Sequence, residues 1–317
     1  MKRTFIIAAI LLVAAVTISL LTPHTAVADK GTTTAQTTLY GGIGRGPDAD
    51  RGEVITISQT DAKGTLVGAG VSDPAAGITG LAFNTSGQLF AATINAPLLG
   101  PSPVLSTLIR LNPITGEQDA LIGTIKLANN SPVIITELAI QPDTDALFGI
   151  GINSSNFQTT LYRIDSSTAI ATFVGVTDME VDALAFGPDG TMYGELAIFD
   201  ETGENFLRAF LITIDPATGA TLTSAGPFFT HLGGMAVRPT DGVIFASGGV
   251  DSDIYTLSPD GVLTFLGLTG FGGVGDIAFT PLPTSKNQCK DDGWQRFSFP
   301  FSFKNQGDCI QFVNTGK

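Results

Sequence analysis

A short apolar–Ala–apolar motif recurs five times along the chain, and it constrains the fold more than any other feature. The copies are Leu81-Ala82-Phe83, Leu138-Ala139-Ile140, Leu184-Ala185-Phe186, Met235-Ala236-Val237 and Ile277-Ala278-Phe279. Successive alanines stand 57, 46, 51 and 42 residues apart, a spacing that suits one four-stranded propeller blade per repeat. Behind each of the first four copies comes a turn rich in Gly, Asp, Asn and Pro, at 84–87, 142–145, 188–190 and 239–242; such residues accept tight-turn dihedrals. The strand that follows carries an aromatic every time: Phe90, Phe148, Tyr193 and Phe245. Third strands at 108–111, 161–164, 211–214 and 254–257 run into the hairpin turns Asn112-Pro113, Asp165-Ser166, Asp215-Pro216 and Ser258-Pro259. Fourth strands close on Gly123, Gly175, Gly226 and Gly267.

The fifth copy has no strands after it, whereas the N-terminal region opens with a second, third and fourth strand (39–40, 54–57 and 66–68) and lacks a first. The two ends are therefore complementary fragments of one repeat, and joining them closes a ring with no exposed sheet edge at the seam. The expectation is an all-β chain folded as a five-bladed β-propeller, with a degenerate sixth blade inside residues 87–136 as the alternative. Alanine suits the innermost strand because blades converge toward the axis. The aromatic one strand further out fills the widening gap between blades.

The pattern resembles the extracellular NHL and YVTN-like propeller repeats, where a Leu-Ala-Phe segment, Pro-Asp-Gly and Leu-Tyr precede Leu-x-x-Ile-Asp-x-x-Thr-Gly. It is clearest here at 184–193 and 211–219. The resemblance covers 39–279 and implies a propeller. It leaves function open, because propellers of this kind include enzymes, ligand binders and surface scaffolds.

Lys2 and Arg3, an apolar run over 5–21 and the small residues Ala26-Val27-Ala28 have the layout of a cleavable signal peptide, cut after Ala28. An uncleaved anchor is the other reading, since about 17 apolar residues is the short end of what spans a bilayer. The chain thus divides into a signal peptide (1–28), a linker (29–38), the propeller (39–280) and a C-terminal tail (281–317), and is expected to be secreted, extracellular or at the cell surface. Loss of Lys2 and Arg3 leaves 14 of the 16 basic residues against 29 acidic ones, a net charge of −15. That field repels phosphate backbones and excludes nucleic acid as a partner. After cleavage no integral membrane segment is expected. Cys289 and Cys309 are the only cysteines, and an oxidising compartment favours joining them. A loop of about 20 residues gains on the order of 3 kcal/mol from such a bond.

In a propeller of this kind the loops entering each first strand and those joining second to third strands share one face, around the channel mouth. The latter are long here (43–52, 94–106, 153–160, 199–207 and 248–253), and long loops on a rigid scaffold tend to carry function. Glu137, Asp182 (with Asp178 and Glu180) and Asp276 stand just before first strands, and Glu195 just after a second strand. Repeat symmetry gathers them near one axis, where oxygen ligands would suit a hard cation such as calcium. No other cofactor is expected. A solvated acidic rim is the plainer reading of the same residues. The pairs Asp48/Asp50, Asp143/Asp145 and Asp251/Asp253 lack the rest of a calcium-loop pattern and read as turn residues.

His231 is the only histidine after the leader and falls in the same rim register. A Ser-His-Asp or Cys-His device is therefore not expected. The tail runs Cys289-Lys-Asp-Asp-Gly-Trp294, then Phe297, Phe299, Phe301 and Phe303-Lys-Asn-Gln-Gly-Asp-Cys309. It is similar to a short Cys-x-x-x-Gly-Trp … Phe-Lys-Asn-Gln-Gly-x-Cys element at the ends of secreted microbial proteins. Aromatics this dense either pack on the propeller or bind outside it; packing is the expectation, surface attachment the alternative. The leading functional reading is a binding or interaction scaffold without a reaction of its own, engaging a protein, glycan or small-molecule ligand through the long-loop face. A metal-dependent, lactonase-like hydrolase or lyase using the mouth acids is second.

Overall fold

The computed structural model describes residues 37–44, 50–73, 75–95, 105–152, 159–177, 180–202 and 205–316. The expected leader, most of the linker, Asp48, Asp178 and the middles of several long loops lie outside them.

Five antiparallel sheets form the five blades. Blade II consists of Gly77–Phe83, Leu89–Ile94, Ser106–Leu111 and Gln118–Thr124, and blade III of Ile134–Ile140, Leu147–Ile152, Thr159–Ile164 and Ile170–Val176. Blade IV runs Val181–Phe186, Met192–Phe199, Phe206–Ile214 and Thr221–Phe228, and blade V Gly234–Val237, Ile244–Ser247, Asp253–Leu257 and Leu263–Leu268. Blade I is the composite one: the late strand Val274–Phe279 pairs with Leu39–Ile43, which continues to Val54–Ile57 and Gly64–Gly68. Leu39 faces Phe279 and Tyr40 faces Ala278 across this seam. The first strands touch in the cyclic order I–II–III–IV–V–I, so the ring is closed. No sixth blade occurs among the described residues. The length of the first repeat goes into the connection after Ile94 and into a two-residue strand, Lys126–Leu127, laid parallel along the outer strand of blade III.

Instead of a single core there are five, one in each interface between neighbouring blades. The second-strand aromatics are central to them. Phe90 packs with Leu138 and Tyr162 of blade III, Phe148 with Phe186 of blade IV, and Phe245 with Phe279 of blade I. Tyr193 leans on the cluster shared with blade V, and Tyr40 on that with blade II. Some of the fourth-strand glycines also have an interfacial cause. A Cβ on Gly68 would fall on the Thr115 carbonyl of the next blade, and one on Gly175 on the Thr218 carbonyl. Side chains are excluded there because backbone already fills the space.

The tail folds into two helices, Lys286–Cys289 and Gln306–Thr315, around a 3-10 turn, Gly293–Arg296. The Cys289–Cys309 disulfide ties the helices together across 20 residues. Ser285 and Gln288 form a capping box on the first helix, satisfying end amides that would otherwise be orphaned. Phe297, Phe303 and Phe312 make a small aromatic core. Phe299 stacks on Phe83 of blade II at 6.2 Å, and Arg296 reaches Asp145 at 2.6 Å. The tail thus packs on the short-turn face. No described helix is long and apolar enough to cross a membrane.

Candidate functional site at the channel mouth

On the opposite face the first strands of four blades carry a β-bulge near their entry: Ile78/Gly80, Ile135/Glu137, Val181/Leu184 and Val274/Asp276. A bulge re-aims a side chain out of the pleat, and Glu137, Asp182 and Asp276 all sit at these irregularities. Glu195 lies inside its strand, opposite Leu211, rather than after it. His231 comes from the segment that enters blade V.

The five residues do not play one role. Asp276 is fully buried. One carboxylate oxygen accepts the Leu81 N–H at 2.6 Å and the other the Ile277 N–H at 2.7 Å. The backbone amides of Leu138 and Met235 face the same carboxylate and favour its charged form. These four amides hold the same repeat position in blades II, I, III and V, and through Leu81 Asp276 ties the first strand of blade I to that of blade II. Burial pushes its pKa well up, while the four amides pull against that.

Glu137 and Glu195 are 3 % and 0 % exposed. Both Glu195 oxygens accept the Leu232 N–H at 3.1 Å. Burial, then the charge of Asp182, holds Glu195 well above the usual carboxylate range. Glu137 is displaced the same way by burial and by the charges of Asp276, Asp182 and Glu195. Its Oε2 has no hydrogen-bond partner among the described residues.

Asp182 and His231 form the outer layer. Their Oδ2 and Nε2 atoms lie 2.9 Å apart, with side chains 15 % and 40 % exposed. Burial pulls the imidazole down, but the hydrogen bond and charge of Asp182 outweigh it and leave His231 above its ordinary pKa. Burial, then the charge of Asp182, pushes Glu180 beside them up to about 6. Phe199 and Phe206 flank the His231 ring at 5.6 and 5.4 Å. One ligand atom each from Asp182, Glu195 and His231 can be chosen so that all three lie within 4.8 Å of one another. No described Lys or Arg pairs with any of these acids. The arrangement is chemically suited to holding a positive charge.

Sequence reasoning missed Phe199, Phe206 and Ser247. Ser247 is buried with an unpartnered hydroxyl, and a Cβ on Gly234 would come within 3.1 Å of that hydroxyl and 2.6 Å of Asp276 Oδ1. A signal for it existed: Glu195 and Ser247 both stand two residues after the second-strand aromatic. Asp145, by contrast, lies on the tail side, where it accepts from Thr85 as well as Arg296. At that end of the channel an apolar cavity of about 110 Å³ is lined by Ala82, Ala139, Ala185, Ala236 and Ala278, covered by Thr284 and Gln288 of the tail, and has no titratable side chain in its wall.

No protein-family model matches the chain, and no curated protein matches it. Among solved structures it is similar to a gluconolactonase from Xanthomonas campestris, at 15 % identity and TM-score 0.44 over 77 % of this chain and 80 % of that one. A chain of a nidogen/laminin complex gives 10 % and 0.48 over 77 % and 98 %. The PQQ-bound aldose sugar dehydrogenase of Streptomyces coelicolor gives 12 % and 0.45 over 77 % and 89 %. Likenesses this distant assign no chemistry, and the propeller assignment rests on the chain's own sheets.

Proposed function

We propose that the protein is a secreted binding propeller that takes its ligand at the acidic mouth on the long-loop face. The observation behind this is the asymmetry of the channel. One end is covered by the tail and lined by alanines, whereas at the other Asp182 and His231 reach solvent in front of buried Glu195 and Glu137. Convergent polar groups on a rigid scaffold are the usual make-up of a ligand site. The surplus of carboxylates favours a ligand that presents cationic or hydroxyl groups. Export is supported by the leader pattern and by the Cys289–Cys309 bond.

The test is binding of residues 29–317 to glycan and cationic-peptide arrays, compared with Asp182→Asn and with Asp145→Asn on the opposite face. Binding lost only in Asp182→Asn supports the reading; binding indifferent to Asp182, or none, overturns it. A metal-dependent hydrolase or lyase is the second reading, favoured by the carboxylate–imidazole set. Turnover of an aromatic ester or a lactone that stops on chelation would establish it.

A further inference from the structure

We propose that Asp182, Glu195 and His231 form a site for a divalent transition metal of zinc or manganese type, with Glu137 as a buried carboxylate behind it. The three groups arrive from different elements: the entry bulge of blade IV, the middle of its second strand and the segment entering blade V. Their ligand atoms lie within 4.8 Å of one another. The 2.9 Å between His231 Nε2 and Asp182 Oδ2 is close to the edge, about 3 Å, of an octahedron of ligands at about 2.1 Å, and must open by about 0.5 Å for a tetrahedral ion. Glu137 supplies an independent pointer. Its Oε2 is buried and unpartnered among the described residues, and Glu137 stands at the entry bulge of the neighbouring blade III. A buried acceptor without a donor is costly, and a cation in front of it removes that cost.

The donor set separates the candidates. Calcium takes six to eight oxygen ligands, and Asp276, which could have added oxygens, is committed to backbone amides. Imidazole nitrogen beside carboxylate oxygen suits zinc and its neighbours in the transition series. Outer support is present as well: the Leu232 N–H fixes Glu195, and Phe199 and Phe206 confine the His231 ring.

The proposal rests on the mouth as the ligand-binding end but not on any partner. The test is titration of chelator-stripped residues 29–317 with zinc and calcium by calorimetry, and with cobalt(II) by visible absorption. One zinc per chain, a cobalt spectrum with nitrogen ligation, and binding at least tenfold weaker in His231→Ala and Glu195→Gln but unchanged in Asp145→Asn are expected. His231 is 40 % exposed, so its variant reports even where Glu195→Gln misfolds. Absence of cobalt or zinc binding, calcium bound more tightly than zinc, or His231→Ala binding like the parent chain overturns the proposal. Array binding by a chain that takes up neither zinc nor cobalt would leave the binding reading standing while this one fell.

Discussion

Gly68 and Gly175 are bare because the carbonyl of a neighbouring turn occupies the place of their side chains. Gly68→Ala is expected to lose about 2–3 kcal/mol in urea unfolding, the range for overpacking a tight contact. Gly190→Ala, where nothing lies within 4 Å but φ is +84°, is expected to lose only about 1 kcal/mol, the strain of its left-handed backbone. Ser247→Ala discards a buried hydroxyl that bonds to nothing among the described residues; its unfolding free energy should fall by no more than about 0.5 kcal/mol or should rise. At this scale the sequence was readable where a role repeats. Glu137 and Asp276 occupy one register, two residues before the alanine, and both are buried. Their divergence was not readable, because what distinguishes them is backbone. Asp276 meets the amides of Leu81 and Ile277, and no spacing in the chain announces which carboxylate will find them. His231 was legible only as a rim residue, since its partner Asp182 comes from a different blade.

Among elements, the strands were legible and the tail was not. Alternating apolar residues between Gly- and Pro-rich turns identify strands by period. The second strand of blade IV nevertheless runs on past Glu195 to Phe199, because its neighbour Phe206–Ile214 is long enough to pair with it. In the tail the dense phenylalanines fit no helical period, and the helix Gln306–Thr315 is set by its Asn305 cap and the disulfide rather than by a broad apolar face. Replacing both cysteines by serine is expected to cost the tail about 3 kcal/mol. Limited proteolysis should then cut between 290 and 308 while the blades stay protected; cleavage of the blades at the same rate would contradict the division. Arg296→Ala removes a 2.6 Å contact to a partly exposed Asp145. The expected loss of tail docking is about 0.5–1 kcal/mol, read as faster proteolysis at the same sites.

For the whole molecule, complementary end fragments announced the closed ring, and the spacing of five alanines announced its size. What the spacing left open was whether the long first repeat concealed another blade; the chain spends that length on a connection and a short outer ladder. A chain ending at residue 273 keeps four complete blades but exposes the edge of Leu39–Ile43, and is expected to aggregate rather than melt cooperatively. A monomeric, cooperatively melting truncate would refute the role given to the seam. The seam joins groups as much as 242 residues apart, such as Thr38 and Thr280, and contacts of that separation form late in folding. A ribosome delivers Leu39–Ile43 long before Val274–Phe279, so one edge of the early strand waits unpaired through most of synthesis. Any product that stops short of residue 279 keeps that strand as a visible flag for proteases and chaperones. Closure of the ring is thereby a check on length, passed only when the final strand has been made.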